Sequence, residues 1–140
     1  MSKLVSVYRV KGAKEILYEL LRERSSEADK FVNISHRKLP RWKDHVRFVD
    51  SKPYAAWYLI RHGEDYVGTV YLSKSDEIGI VLLQRFRGKG FGPEAVAELL
   101  RIHKRKRYLA NINPKNERSI GMFSKLGFAH LQNTYELRHA

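Results

Sequence analysis

The feature that most constrains the fold is an apolar segment that runs directly into a glycine-rich turn and then into a helix. Residues 77–83 read as a strand, glycines follow at 88, 90 and 92, and a helical pattern begins at Pro93. A turn of this kind points several backbone N–H groups into one concavity, where the positive end of the helix dipole adds to them. Arg85, Arg87 and Lys89 supply positive charge beside those groups. The segment therefore predicts a loop that binds a ligand with more than one phosphate.

Two common nucleotide-binding patterns do not fit this loop. A P-loop requires Gly-x-x-x-x-Gly-Lys followed by Ser or Thr, which the loop lacks. A Rossmann fingerprint requires Gly-x-Gly-x-x-Gly and an acidic residue about 20 positions further on. Here the third glycine comes one position early, and residues 108–112 contain no acid. A tight turn with a basic surface and no ligand stays open as the structural alternative.

Hydrophobic periodicity predicts the elements that precede the loop. A strand at residues 4–10 is followed by a helix behind Gly12. Residues 24–38 are polar and mixed, which predicts a loop or a broken helix, and a second helix starts at Pro40. Turn-like residues then separate three strand-like segments, so we expect an antiparallel meander. These segments are residues 54–61, 66–72 and 77–83.

Shorter elements are predicted after the helix that begins at Pro93. They are a strand at 108–112, a helix at 116–126 that ends at Gly127, and a closing hairpin of 128–131 and 134–138. The resulting fold class is α/β (α+β), with a mixed, mostly antiparallel central sheet of six to seven strands and helices on both faces. We expect one domain spanning residues 1–140, because the chain contains no linker, repeat or low-complexity segment.

Composition and charge exclude several classes of protein. The chain has 140 residues, 43% of them hydrophobic, and no cysteine, which excludes a disulfide scaffold, a thiolate zinc site and a cysteine nucleophile. The start of the chain lacks a signal-peptide core, and no stretch is apolar enough to span a bilayer. We therefore expect a cytoplasmic protein without membrane association. The 27 Lys and Arg outnumber the 15 Asp and Glu by 12, which favours an anionic partner.

The glycine loop and a second motif together resemble the GNAT superfamily of N-acetyltransferases. Arg87-x-x-Gly90-x-Gly92 after a strand resembles the acetyl-CoA signature of that family, and NERSIGMFSKLGF at residues 116–128 resembles its second motif. The two motifs occur in the family's order and spacing, and the resemblance covers about residues 54–138. The loop pattern also fits one register earlier, from Arg85. The later register is preferred because it puts Gly92 at the helix cap.

The resemblance implies a fold and a donor site. Acetyl-CoA would lie where the sheet splays open between its fourth and fifth strands, with its pyrophosphate on residues 87–92. Backbone groups near Leu82 and Leu83, together with Asn116, would bind the pantetheine arm, and a backbone N–H at the end of the fourth strand would stabilise the developing oxyanion. The implied cofactor contacts are Leu82, Leu83, Arg85, Arg87, Gly88, Lys89, Gly90, Gly92, Asn116, Ser119 and Phe123. No metal is implied, and the six histidines show no paired spacing.

The resemblance also implies direct attack of a primary amine on the thioester, with Glu77 as the candidate general base. A Glu at this position can instead cap the strand or pair with a lysine. Many family members have a Tyr that protonates the departing thiolate, but the matching residue here is Phe123. Tyr135 is the candidate replacement, and Ser124 is a second one. His36 and His45 are interpreted as packing or surface residues near the acceptor region.

Three functions stay open at the level of sequence. The first is an N-acetyltransferase for a small-molecule amine or a protein amino group, with the acceptor read by residues 24–50 and 129–135. The second is a nucleic-acid-binding module, because basic and aromatic residues mix at 37–43 and 103–108, although solvated basic loops explain these segments as well. The third is a CoA-binding family member without turnover, which Phe123 would allow. Family members are often dimers, so a homodimer is part of the expectation, but no residue identifies an interface.

Overall fold

The computed structural model describes residues 2–25 and 38–139. Most helices and strands form close to where periodicity predicts them, although most of the loop predicted at 24–38, including His36, lies outside the described residues. In chain order the elements are β1 (Ser2–Ser6), α1 (Ala13–Arg24), α2 (Trp42–Asp50), β2 (Ala56–His62), β3 (Asp65–Leu72), β4 (Glu77–Leu82), α3 (Phe91–Ile102), β5 (Leu109–Ala110) and α4 (Glu117–Lys125).

The strands form one sheet in the order β1-β2-β3-β4-β5. Neighbouring strands from β1 to β4 are antiparallel, and β5 lies parallel to β4. A parallel pair needs a crossover connection, which α3 supplies. The sheet is therefore mixed and mostly antiparallel, as predicted. The predicted number of six to seven strands is wrong, because the sheet of the described residues has five.

The missing strands are those of the predicted closing hairpin. Residues 128–139 contain no strand, and the apolar side chains of Leu131, Tyr135 and Leu137 are 66%, 89% and 82% exposed. The last strand before this segment, β5, is only two residues long. Because an isolated two-stranded hairpin is marginally stable in water, the alternation of apolar residues does not suffice to form one here.

The predicted N-terminal strand at residues 4–10 is also too long at its C-terminal end. β1 ends at Ser6, and Val7–Arg9 forms a 3₁₀ turn. The Oγ atom of Ser6 accepts a hydrogen bond of 3.3 Å from the backbone N–H of Tyr8. A serine side chain can offer the backbone such an alternative to a sheet ladder, so the chain turns here and enters α1.

Helices cover both faces of the sheet, as predicted. On one face, α1 and α2 pack on the odd-numbered side chains of β2; that cluster includes Leu17, Leu20, Val49, Trp57 and Leu59. On the other face, α3 and α4 pack on the sheet; that cluster includes Ile60, Val70, Val96, Leu99 and Phe123. Full burial of one such side chain stabilises the fold by about 1.5–3 kcal/mol. No helix in the described ranges is both long and apolar enough to cross a bilayer.

The sheet opens between β4 and β5. These strands pair only at Glu77 with Leu109 and at Ile78 with Ala110, so the remainder of β4 has no sheet partner on that side among the described residues. The gap between the two strands faces the N-terminus of α4 and the loop before α3. This geometry places a strand edge, a glycine loop and two helix N-termini around one opening.

Candidate active site

A cavity of about 410 Å³ occupies the gap between β4 and β5. All of residues 77–82 line it, and its far wall is formed by residues 111–113 and by one face of α4 together with its N-cap. The glycine loop closes one end of the cavity. On the α1 and α2 side of the sheet the wall consists of Arg24, Tyr54, Tyr71 and Ser73.

Backbone groups of β4 form part of the cavity wall. The N–H of Leu83 donates to the carbonyl of Val67 on β3 at 2.9 Å. Because the residues of an antiparallel strand direct their polar groups alternately to its two sides, the odd-numbered residues of this strand bond to β3 and the even-numbered ones face β5. Ile78 pairs with β5. The N–H and C=O groups of Ile80 and Leu82 therefore point into the gap.

The glycine loop presents further N–H groups at the end of β4. Gly88 and Gly90 have φ angles of +74° and +88°, a left-handed conformation that glycine adopts readily. The N-cap of α3 is Gly90 and not Gly92 as predicted, so the helix begins two residues before Pro93. The amides of Phe91 and Gly92 therefore belong to the unpaired first turn of the helix. Pro93, which lacks an N–H, occupies a position where none is needed. This end of the cavity has the features of an anion-binding helix N-terminus.

Arg87 connects the loop to the strand. Its Nε and Nη2 atoms donate to the carbonyl of Leu82 at 3.3 Å and 3.2 Å, so the guanidinium lies at the cavity wall where β4 ends. The carboxylate of Glu23, at the end of α1, accepts a hydrogen bond from the backbone N–H of Gln84. The position of the loop is thus set from β4 and from α1, and Arg24 of α1 enters the same wall.

Glu77 lies at the other end of the cavity, where β4 and β5 meet. Its Oε2 atom accepts a hydrogen bond of 2.7 Å from Nδ2 of Asn111, and its Oε1 atom accepts one of 3.5 Å from the hydroxyl of Ser73. Asn111 is the residue directly after β5, so this bond joins the two strands at the base of the gap. The predicted cap role and the predicted base role of Glu77 are compatible with this geometry.

The second motif forms α4 and its two ends. Asn116 is the N-cap, and its side chain accepts a hydrogen bond of 3.2 Å from the N–H of Ser119. At the C-terminus, Gly127 has a φ of +98°, and the N–H of Phe128 donates to the carbonyl of Phe123 at 3.0 Å. This is a Schellman motif, and the rings of Phe123 and Phe128 meet edge to face at 5.0 Å. Helix α4 therefore presents Asn116, Ser119 and Phe123 to the cavity.

The structure separates the predicted site residues into two groups. Those that line the cavity are Glu77, Leu82, Arg87, Gly88, Gly90, Gly92, Asn116, Ser119 and Phe123. Those that do not line it are Leu83, Arg85, Lys89 and Tyr135. Ser124, the alternative to Tyr135, is exposed outside the cavity.

Each residue outside the cavity has an identifiable local reason to be there. Leu83 is an odd-numbered residue whose side chain is buried against α1 and α2. Arg85 lies in a 3₁₀ turn, with its guanidinium 4.8 Å from the ring centroid of Phe86. Lys89 is exposed, and Tyr135 belongs to the hairpin that does not form.

His45 is a packing residue, as interpreted from the sequence. It is 3% exposed, and its Nε2 atom donates a hydrogen bond of 2.8 Å to the carbonyl of Lys14. Its ring lies beside those of Tyr18 and Trp42. These contacts join α1 to α2 and leave His45 outside the cavity.

Several cavity residues were missed by sequence reasoning. Asn111 and Asn113, which follow β5, and Arg118, at the start of α4, line the cavity. The sequence did contain a signal for the two asparagines, because they are polar residues at and just after the end of a predicted strand. Tyr54 and Tyr71 enter from the α1 and α2 side. Their position depends on strand register, which the sequence alone does not define.

Comparison with known proteins identifies related folds. The chain is 20% identical to an N-acetyltransferase from Staphylococcus aureus Mu50, with a TM-score of 0.70 and coverage of 94% of this chain and 86% of that one. It is 12% identical to the spermidine/spermine N-acetyltransferase SpeG from Vibrio cholerae, with a TM-score of 0.71 and coverage of 91% and 79%. It is 19% identical to the Microcin C7 self immunity acetyltransferase MccE, whose structure contains acetyl-CoA and AMP, with a TM-score of 0.68 and coverage of 91% and 78%. These likenesses show the fold.

Comparison with curated proteins finds no match. The sequence model of the acetyltransferase (GNAT) domain, by contrast, matches residues 14–129. That range includes the glycine loop, both strands of the gap and the whole of α4. The chain therefore belongs to the GNAT acetyltransferase family.

Proposed function

We propose that residues 1–140 form one N-acetyltransferase domain that transfers the acetyl group of acetyl-CoA to a primary amine by direct attack. The observation that carries the proposal is the cavity between β4 and β5, which joins an anion-binding loop at one end to a carboxylate at the other. Acetyl-CoA supplies the activated acetyl thioester. Every other contribution comes from residues of the chain.

The chain offers complementary groups along the length of the donor. The amides of the glycine loop and the charge of Arg87 would hold the pyrophosphate. The N–H and C=O groups of Ile80 and the N–H of Leu82 would pair with the amides of the pantetheine arm as a further strand would, whereas the carbonyl of Leu82 is bonded to Arg87. At about 3.3 Å per residue, the distance along β4 from Leu82 to Glu77 is about 17 Å, so the arm leads from the loop toward the carboxylate.

Glu77 would act on the acceptor. A primary amine with a pKa near ~10.4 is mostly protonated at neutral pH, and only the neutral form is a nucleophile. The Glu77 carboxylate, held by Asn111 and Ser73, would accept the proton directly or through a water molecule. A backbone N–H at the exposed edge of β4 would stabilise the negative charge that develops on the carbonyl oxygen.

The relatives support an amine acceptor but differ in its type. The names of the similar structures refer to spermidine/spermine, to an aminoglycoside and to the ribosomal protein L7/L12. No single acceptor is common to them. For this chain we therefore propose only the general class of acceptor, which is a small-molecule amine or a protein amino group.

An acceptor panel tests the proposal. Amino sugars, polyamines, amino acids and N-terminal peptides of ribosomal proteins are incubated with acetyl-CoA, and the release of CoA thiol is measured together with the acetylated product. We expect at least one amine to yield one acetylated molecule per thiol released. Absence of transfer to every amine, despite binding of acetyl-CoA, would contradict the proposal.

That negative result would favour a second candidate, a CoA-binding protein without turnover. The specific observation behind it is Phe123, which is 4% exposed and has no hydroxyl where many family members have Tyr. Tyr135 is 89% exposed and outside the cavity. Neither residue supplies a proton to a departing thiolate in the described conformation.

A homodimer belongs to the proposal as well, because many members of the family are dimers. Light scattering coupled to gel filtration distinguishes a dimer from the 16.4 kDa monomer. Cytoplasmic localisation is likewise proposed, and fractionation of cells that express the chain tests it.

A further inference from the structure

The side chain of Tyr71 lies over Gly79 of β4 and lines the cavity. It pairs with Gly79 in the register of β3 and β4. A Cβ atom added at Gly79 would overlap Cζ and Oη of Tyr71. The tip of the Tyr71 ring therefore occupies the space that any other side chain at position 79 would fill.

Stacked aromatic rings hold the Tyr71 ring in this orientation. The ring of Tyr54 lies parallel to it, with centroids 3.9 Å apart and an interplanar angle of 8°. Tyr54 in turn meets Trp57 edge to face at 4.8 Å, and Nε1 of Trp57 donates to the hydroxyl of Thr69 at 2.9 Å. A side chain locked in this way is positioned before a substrate arrives.

The Tyr71 hydroxyl lies at the level where β4 and β5 part. The last paired residue of β4 is Ile78, so Gly79 is the first residue beside the gap. Neighbouring strands are about 4.8 Å apart, and the ring of Tyr71 reaches from β3 over Gly79 of β4, which places its hydroxyl on β4 in the wall of the cavity. Among residues 2–25 and 38–139 the hydroxyl has no hydrogen-bond partner.

Glu77 lies on the same face of β4 as the Tyr71 ring. Side chains of a strand alternate between its faces, and residues 77 and 79 are two apart, or about 6.6 Å. Both Glu77 and Tyr71 line the cavity. The cavity thus presents a carboxylate and a phenol at the end away from the glycine loop.

We propose that Tyr71 is a catalytic residue that protonates the departing thiolate of CoA. The inference rests on the proposed function and deepens it. The amine nitrogen forms a bond to the acetyl carbon, the carbon–sulfur bond breaks, and its electron pair stays on sulfur. Tyr71 gives its hydroxyl proton to that sulfur, which yields the CoA thiol. One of the two protons that the original ammonium group loses goes to Glu77, and the other replaces the proton on Tyr71.

Neither of the replacements that the sequence suggested for the missing tyrosine hydroxyl is placed for this role. Tyr135 and Ser124 lie outside the cavity, and Phe123 carries no hydroxyl. A strand residue at the base of the gap would therefore perform the role that a helix residue performs in many family members. Substitution of Gly79, which would displace the Tyr71 ring, should impair the same step.

The kinetic test compares Tyr71→Phe with Tyr66→Phe. Tyr66 is on the same strand and packs against the same core cluster, but it does not line the cavity. We expect Tyr71→Phe to lower kcat about 10²-fold, at the low end for general acid catalysis, because a thiol with a pKa near ~8.5 leaves tolerably as an anion. The KM for acetyl-CoA and the thermal midpoint should not change, and Tyr66→Phe should retain the wild-type kcat. A wild-type kcat in Tyr71→Phe would overturn the proposal.

A crystal structure with CoA provides a test that needs no acceptor. We expect the CoA sulfur within hydrogen-bond reach of Tyr71 Oη. If CoA lies in the gap with its sulfur far from Tyr71, the role of Tyr71 is refuted while the proposed function stands. If CoA does not occupy the gap, the donor site of the proposed function fails and the role of Tyr71 fails with it.

Discussion

Glu77 is the only carboxylate among the described residues that line the cavity. The substitution Glu77→Gln keeps the size of the side chain and its bond to Asn111 by an amide flip, but removes the base. We expect kcat to fall by about 10²- to 10⁴-fold, with the Kd of acetyl-CoA nearly unchanged. The loss of kcat should become smaller as the pH rises, because a larger fraction of the amine is then neutral and needs no general base. Glu64→Gln, in the exposed turn before β3, is the matched control.

Two glycines should respond oppositely to alanine. Gly79→Ala would place a Cβ on the ring of Tyr71, and such overpacking typically costs about 1–3 kcal/mol of unfolding free energy. Gly121 lies inside α4 with no atom within 4 Å of an added Cβ. Gly121→Ala should therefore stabilise the fold by about 0.5–1 kcal/mol. Urea denaturation measures both values; a Gly79→Ala variant as stable as the wild type would show that the packing described for Tyr71 is wrong.

Sequence reasoning at the residue scale identified those positions whose role follows from a local motif. Arg87, Gly90 and Asn116 belong to motifs read within a dozen residues, and each lines the cavity. The prediction for Leu83 is wrong because backbone groups of successive strand residues face opposite sides. Which residues face the gap depends on the pairing of β4 with β3, and the N–H of Leu83 faces β3. Tyr71 was missed for the same reason, since its place beside the gap depends on its pairing with Gly79.

At the scale of elements, the loop between β4 and α3 carries the proposed donor site. Gly90→Ala forces a left-handed conformation on a residue with a side chain, at a cost of about 1–2 kcal/mol, and should weaken binding of acetyl-CoA. Gly63, in the turn between β2 and β3, has a φ of +61° and open space around it. Gly63→Ala should cost similar stability and leave the affinity unchanged. Calorimetric titration measures the Kd of each variant, and an equal loss of affinity in both would indicate a general effect of instability.

Elements with strong periodicity or clear ends were predictable from the sequence. Helix α4 ends at Gly127 in a Schellman motif, as its Leu-Gly-Phe sequence indicates. The closing hairpin was not predictable, because the alternation of apolar residues at 131–137 says nothing about whether a sheet edge is long enough to receive them. In the structure these residues form no strand, and β5, the last strand before them, is two residues long.

For the whole molecule, the excess of 12 positive charges is only partly accounted for by the site. Arg24, Arg87 and Arg118 line the cavity, against Glu77 alone. This balance favours a donor with several phosphates and raises its local concentration. In the basic connector after α3, Arg105 pairs with Asp76 at 3.0 Å, so part of that segment has a structural role that needs no polynucleotide.

Stability of the whole fold should fall in mild acid because of His103. Burial, and secondarily the charge of Arg105, lowers the pKa of His103 below its usual range, and its Nε2 atom lies 2.6 Å from the hydroxyl of Tyr58. Below a pH of about 6.5, the unfolded chain takes up a proton that the folded chain resists, so the unfolding free energy decreases. His103→Gln should flatten that decrease in denaturation curves recorded across this range. Parallel curves for the variant and the wild type would contradict the assignment.

The central claim is that the exposed edge of β4 receives the pantetheine arm of CoA. Amide hydrogen exchange, measured by NMR with and without CoA, tests it directly. We predict that CoA slows exchange at Ile80 and Leu82, whose N–H groups face the gap, and leaves Gly79 and Val81 unchanged, because those amides already bond to β3. Binding of CoA with no added protection at Ile80 and Leu82 would contradict the account.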